Sequence, residues 1–156
     1  MDFWTEILRR ALISGSTAGA VSTAALAVMS KLEGKGAGQP TKATSHWLFG
    51  DRAAATTRLD GVQAVIGYAT NHAAAVFWAV LFETVRARRL GNDAVGTAKS
   101  AACVAAIAAV VDYGIMPRRL TPGWELTLSK GSVGAGFVAL AAGLTLGGLL
   151  ADRSSQ

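Results

Sequence analysis

A chain of 156 residues has the length of one domain, and its 51% hydrophobic and 16% charged content, with a mean hydropathy of +0.37, excludes an ordinary soluble domain. The net charge of +5 would suggest nucleic-acid binding in a soluble protein, yet the Lys and Arg residues fall in short clusters between apolar runs and form no continuous basic face with stacking aromatics. Clustered flanking charge of this kind sets membrane topology, so the sequence predicts an all-α integral membrane four-helix bundle whose partner is the lipid bilayer.

Residues 1–10 are amphipathic, with Trp4 suited to a headgroup region and Arg9 and Arg10 ahead of the first apolar run. The first span is predicted at about 11–29, long enough for a hydrocarbon core of roughly 30 Å at about 1.5 Å per residue. Ala11, Gly15, Gly19, Thr23 and Ala27 make a row of small residues that lets another helix approach closely. Arg9-Arg10, the apolar stretch and Ala25-Leu26-Ala27 also resemble a cleaved signal peptide, a reading opposed by the polar interruption Ser14-Gly15-Ser16-Thr17. The first loop, 31–61, opens with a Gly- and Pro-containing linker, anchors itself with Trp47, Leu48 and Phe49, and is predicted to hold one short interfacial helix from about Arg52 to Asp60, capped by Asp51.

The second span, about 62–85, stops in the basic cluster Arg86, Arg88 and Arg89. The third, about 95–116, is mostly alanine, carries Lys99 near its start and Asp112 near its end, is closed by Pro117, and is expected to lie between other helices. In the loop after it, Thr121-Pro122-Gly123 fits either a type II turn or a Thr-capped helix start. The fourth span, about 131–151, is uncharged, and its row Gly131, Ala135, Ala139, Gly143 and Gly147 is expected to cross the first span or another small face. Cys103 lies in an apolar run and reads as a buried, inert thiol. Lys plus Arg counts on the two sides nearly tie, and the dense basic run in the short second loop favours both termini in the cytoplasm.

Ionisable groups inside spans are costly and usually face the bundle interior in pairs. On the second span His72 and Glu83 fall within about 20° of one face and about 16 Å apart, with Asn71 beside His72. Antiparallel packing of the third span then predicts two pairs, Glu83 with Lys99 and His72 with Asp112. The same side as His72 and Asp112 holds His46, Asp51, Arg118, Arg119 and Glu125, a candidate outer binding surface. No nucleophile-elbow pattern is present, and His46, His72 and Asp112 lack the spacing of a metal or haem site, so no enzyme activity and no cofactor are expected.

The stretches TSHWLFGD (44–51), NHAAAVFWAVLFE (71–83) and VDYGIMPRRLTPGWE (111–125), set in a four-span pattern, resemble small bacterial inner-membrane proteins without an assigned activity. The resemblance covers roughly residues 40–130 and implies a bacterial inner membrane and no mechanism. The reading that follows is a non-enzymatic structural or accessory membrane protein, associating with itself or a membrane partner through the small-residue faces of spans 1 and 4. The alternative is a small oligomeric proton-linked transporter or channel using His72 and Asp112, with Glu83 further along the route.

Overall fold

The computed structural model describes residues 2–55, 60–88 and 93–154. These form four long helices, α1 (Phe3–Leu32), α5 (Gly61–Ala87), α6 (Ala94–Val110) and α7 (Lys130–Arg153), and three short ones, α2 (Gln39–Thr44), α3 (His46–Phe49) and α4 (Arg52–Ala55), with no strand among the described residues. Each long helix begins at a side chain that accepts from the first turn. Asp2 takes the Thr5 N–H, Asp60 that of Gln63, Asp93 that of Gly96, and Ser129 that of Ser132. All four, with α6 counted through Ile115, are long and apolar enough to cross a membrane.

Two boundaries differ from expectation for that reason. Capped by Asp2, α1 takes in residues 3–10 as its own first turns rather than as a separate lead-in. Asp60 caps α5 instead of ending an interfacial helix, so Gly61 is the first residue of α5. The helix expected from Arg52 to Asp60 is observed as α4 over Arg52–Ala55, while residues 56–59, with Arg58, and residues 89–92, with Arg89, lie outside the described residues.

Around the bundle the order is α5, α1, α7, α6, every neighbouring pair antiparallel, with α5 and α6 closing the ring by a thinner contact. The predicted crossing of spans 1 and 4 is present. A Cβ added at Gly147 would lie 2.5 Å from the Ser14 Cα, and one at Gly143 2.6 Å from the Ala18 Cα. On its other flank α1 uses Gly15, where a Cβ would come within 2.5 Å of the Val76 Cα on α5. Gly15, Gly143 and Gly147 are therefore filled by contacts inside the bundle. The third span does not sit enclosed: one face of α6, with Thr97, Ala101, Val104 and Ala108, is buried, and the other is open, carrying Lys99 and an exposed Cys103. Alanine lets that face pack thinly without requiring a neighbour.

In the first loop, residues 33–38 form turns, as the Gly-containing linker predicts, and three short helices follow where one was expected. Pro40 sits in the first turn of α2, where the absent N–H has no partner to lose, and α2 lies on α5 so closely that a Cβ at Gly67 would stand 1.9 Å from the Thr41 carbonyl oxygen. Gly123 adopts φ 80° and ψ −1°, the third residue of a type II turn, which decides between the two readings of Thr121-Pro122-Gly123. Glu33 ties the end of α1 to the start of α7: its carboxylate accepts from the Lys35 ammonium at 2.7 Å, the Ser132 hydroxyl at 2.5 Å and the Ser129 N–H at 3.0 Å. The Lys35 bond and then the two serines hold this carboxyl down to about 2, so it remains the anion that the α7 N-terminus favours.

Candidate ligand site

At the end of the bundle where the chain starts and finishes, α1, α5 and α7 meet in a knot of four charges that sum to zero. Glu83 Oε2 accepts from Arg10 Nε at 3.2 Å and from Arg86 Nη1 at 2.9 Å. Asp152 accepts from Arg86 Nη2 at 2.6 Å and from Arg10 Nη2. Glu83 and Arg86 are 0% and 1% exposed. Arg86 also reaches the Gly148 carbonyl and lies 5.3 Å from the centroid of the Phe82 ring, and only a glycine at 148 leaves room, since a Cβ there would be 2.9 Å from Arg86 Nη1. The Glu83–Lys99 pair is thus corrected: the carboxylate turns to α1 and to its own helix, and Lys99 stays exposed on α6.

His72 is on the face of α5 that also holds Val76, Ala79 and Glu83, as its spacing predicts, but that face meets α1. Its Nε2 is 3.3 Å from the Ser16 hydroxyl, its Nδ1 is buried without a partner, and Gly19 packs over the ring. Asn71 donates to Thr23 on the same neighbour at 3.1 Å. The His72–Asp112 pair is corrected as well, because the ring points into the α1–α5 seam while Asp112 borders a cavity on another side of α5.

That cavity, about 590 Å³, lies between α5, α7 and the segment after α6. Its position follows from the thin α5–α6 contact and from a widened π turn, Val111–Ile115, closed by the Met116 N–H on the Val111 carbonyl at 2.8 Å. Single π turns inside helices recur at functional sites, and this one carries Asp112 to the cavity wall. The interior wall is built from Asn71, Ala75, Trp78, Trp124, Phe137 and Leu140, all buried. Its exposed rim is apolar: Ala73 and Phe77 of α5, Trp47 of α3, Met116 and Leu120. The Asp112 carboxylate has no hydrogen bond or ion pair with a described side chain.

The candidate outer surface is brought together in part. His46 is buried rather than displayed, with Nε2 donating to the Thr121 carbonyl at 2.9 Å and Nδ1 3.2 Å from Asp51 Oδ1. Trp47 Nε1 donates to the same carbonyl at 2.7 Å. Glu125 accepts from the Thr121 hydroxyl at 2.5 Å and from Tyr113 at 2.9 Å. These bonds fix the 116–126 segment over α2 and α3 and so set one wall of the cavity, while Arg118 and Arg119 remain exposed. Arg10 and Arg86, which the sequence marks only as charge flanking spans, join Asp152, Trp78 and Trp124 as site residues that no sequence pattern identified. Glu83 and Arg86 at a spacing of three, and Asp152 at the end of an otherwise uncharged span opposite Arg10, were the available signals. Comparison with protein-family models, curated proteins and solved structures finds no match for this chain.

Proposed function

We propose that the chain is a four-span integral membrane protein of accessory, non-enzymatic type that takes an amphipathic guest laterally from the bilayer into the cavity beside Asp112. The observation that carries this is the cavity itself, with an apolar exposed rim, an interior wall half of whose residues are aromatic, and one carboxylate that no described side chain satisfies. Pockets with this balance, mostly apolar with a few placed polar groups, bind small molecules. Membrane placement is supported by exposed large apolar side chains on the outer faces of the long helices, among them Leu12, Val65, Val110 and Val138. The resemblance of its three loop and span stretches supports a bacterial inner membrane, and the basic second loop supports cytoplasmic termini. A proton relay through His72 and Asp112 draws less support, since the two face different sides of α5.

Lateral access has a direct test. With Ala74→Cys in a Cys103→Ala background, a lipid-soluble maleimide is expected to label position 74 in proteoliposomes, and a charged, water-soluble maleimide is expected to label it at under a tenth of that rate. Equal rates with the two reagents would mean that the cavity opens to water and would overturn lateral entry.

A further inference from the structure

We propose that the guest of this cavity is a lipophilic organic cation, its positive charge set against the Asp112 carboxylate and its apolar body against the rings of Trp78, Trp124 and Phe137. The inference rests on the cavity being a binding site, and adds the chemistry of what fills it.

Three observations converge. First, Asp112 borders an apolar space with no cationic side chain among its described lining residues. Three other carboxylates near the helix ends have cationic partners: Glu83 and Asp152 in Arg10 and Arg86, and Glu33 in Lys35. A carboxylate in apolar surroundings is costly until a counter-charge reaches it. Second, the three hydroxyls of the lining have committed their protons to the protein, and the Asn71 amide has committed one of its two. Ser22 donates to the Gly19 carbonyl, Thr44 to that of Pro40 and Thr70 to that of Ile66, while the Asn71 amide nitrogen donates to Thr23. What the three hydroxyls can offer a guest is acceptor oxygen, matched by a cation or a donor. Third, Trp78, Trp124 and Phe137 stand in the interior wall, and the faces of indole and phenyl rings attract a cation, most strongly where water is excluded.

The alternatives fit less well. An anionic headgroup would need Arg118 or Arg119, which stand outside the lining. A bare metal ion would need several oxygen ligands, and no group of three acidic, His or Cys side chains that could hold one occurs among the described residues. The apolar rim selects for a guest that partitions into lipid before it enters.

The test uses the full chain in nanodiscs, with radiolabelled tetraphenylphosphonium as probe and tetraphenylborate, of the same four-phenyl shape and opposite charge, as its counterpart. Partition into empty nanodiscs is subtracted. The expected result is one saturable tetraphenylphosphonium site per chain and no saturable tetraphenylborate site. Asp112→Asn is expected to weaken cation binding roughly tenfold or more, the scale of a charge-assisted contact. Asp112→Glu keeps the charge and is expected to retain binding, which separates loss of charge from loss of fold. Ala74→Phe fills the cavity with the carboxylate intact and is expected to abolish binding. Equal binding of the two probes, or an Asp112→Asn affinity equal to the parent's, would overturn the cationic guest while leaving cavity binding in place if Ala74→Phe still blocks it. Binding untouched by Ala74→Phe would overturn the cavity reading itself. Absence of any saturable tetraphenylphosphonium site would overturn the proposal.

Discussion

Replacing Glu83 by glutamine is expected to cost about 3–5 kcal/mol of unfolding free energy, the range for removing one partner of a buried ion pair. The change leaves Arg86 with Asp152 as its one ion-pair partner among the described residues and Arg10 with Asp152 and the more distant Glu6, so an excess positive charge remains at a place where Arg86 is 1% exposed. The cost comes from the guanidinium groups that lose their counter-charge, not from the carboxylate removed. A second change that restores neutrality, Arg86→Gln on top of Glu83→Gln, is therefore expected to cost less than the sum of the two single changes, since residues of one network do not add. Lys99→Gln, at an exposed position, is expected to stay within about 0.5 kcal/mol of the parent. Unfolding in mixed micelles by increasing the share of denaturing detergent reads all four. A Glu83→Gln cost no larger than that of Lys99→Gln would contradict the knot.

Gly67→Ala is expected to be the most damaging conservative substitution in α5. The new methyl would stand 1.9 Å from the Thr41 carbonyl oxygen, 2.9 Å from its carbon and 3.2 Å from the Ser45 nitrogen. All three are backbone atoms, so no side-chain rotation relieves the contact, and α2 must lift from α5 at a cost of about 1–3 kcal/mol or more. Because α2 and α3 carry Thr44 and Trp47 into the cavity wall, the same variant is expected to weaken guest binding. Gly134→Ala is the control, since nothing lies within 4 Å of a Cβ there and alanine favours a helix interior over glycine by roughly 0.5–1 kcal/mol. Hydrogen exchange over 39–49 should rise in the first variant and not in the second. Equal protection in both would show that α2 does not rest on Gly67.

Much of the helical frame was legible in the sequence because span length and apolar content are properties of a single helix. The 62–85 and 131–151 predictions differ from the observed helices by only one or two residues at each end. The shared face of His72, Val76, Ala79 and Glu83 was legible for the same reason, as 3.6-residue periodicity. Which helix meets that face was not. Chain adjacency pointed to span 3, whereas Gly15 and Gly19 let α1 come nearer, and Arg10 then supplies the guanidinium that Glu83 needs. Neighbour order around a ring depends on the relative closeness of several faces at once, and no spacing within one helix encodes it. Asp112 and Asn71 were identified as costly polar groups, but the cavity between them was not, because it arises where the π turn and the 116–124 segment stand away from α5. The short helices of the first loop are too brief to show a period, and only Pro40 with Gly34, Gly36 and Gly38 marked where the chain bends.

The most direct measurement is the sidedness of three single cysteines, at positions 88, 119 and 154, in a Cys103→Ala chain embedded in sealed vesicles and treated with a membrane-impermeant thiol reagent from one side and then the other. Four crossings put positions 88 and 154 on one side and position 119 on the other. Labelling of all three from the same side would contradict a four-span protein, and with it the lateral cavity on which the binding proposal depends.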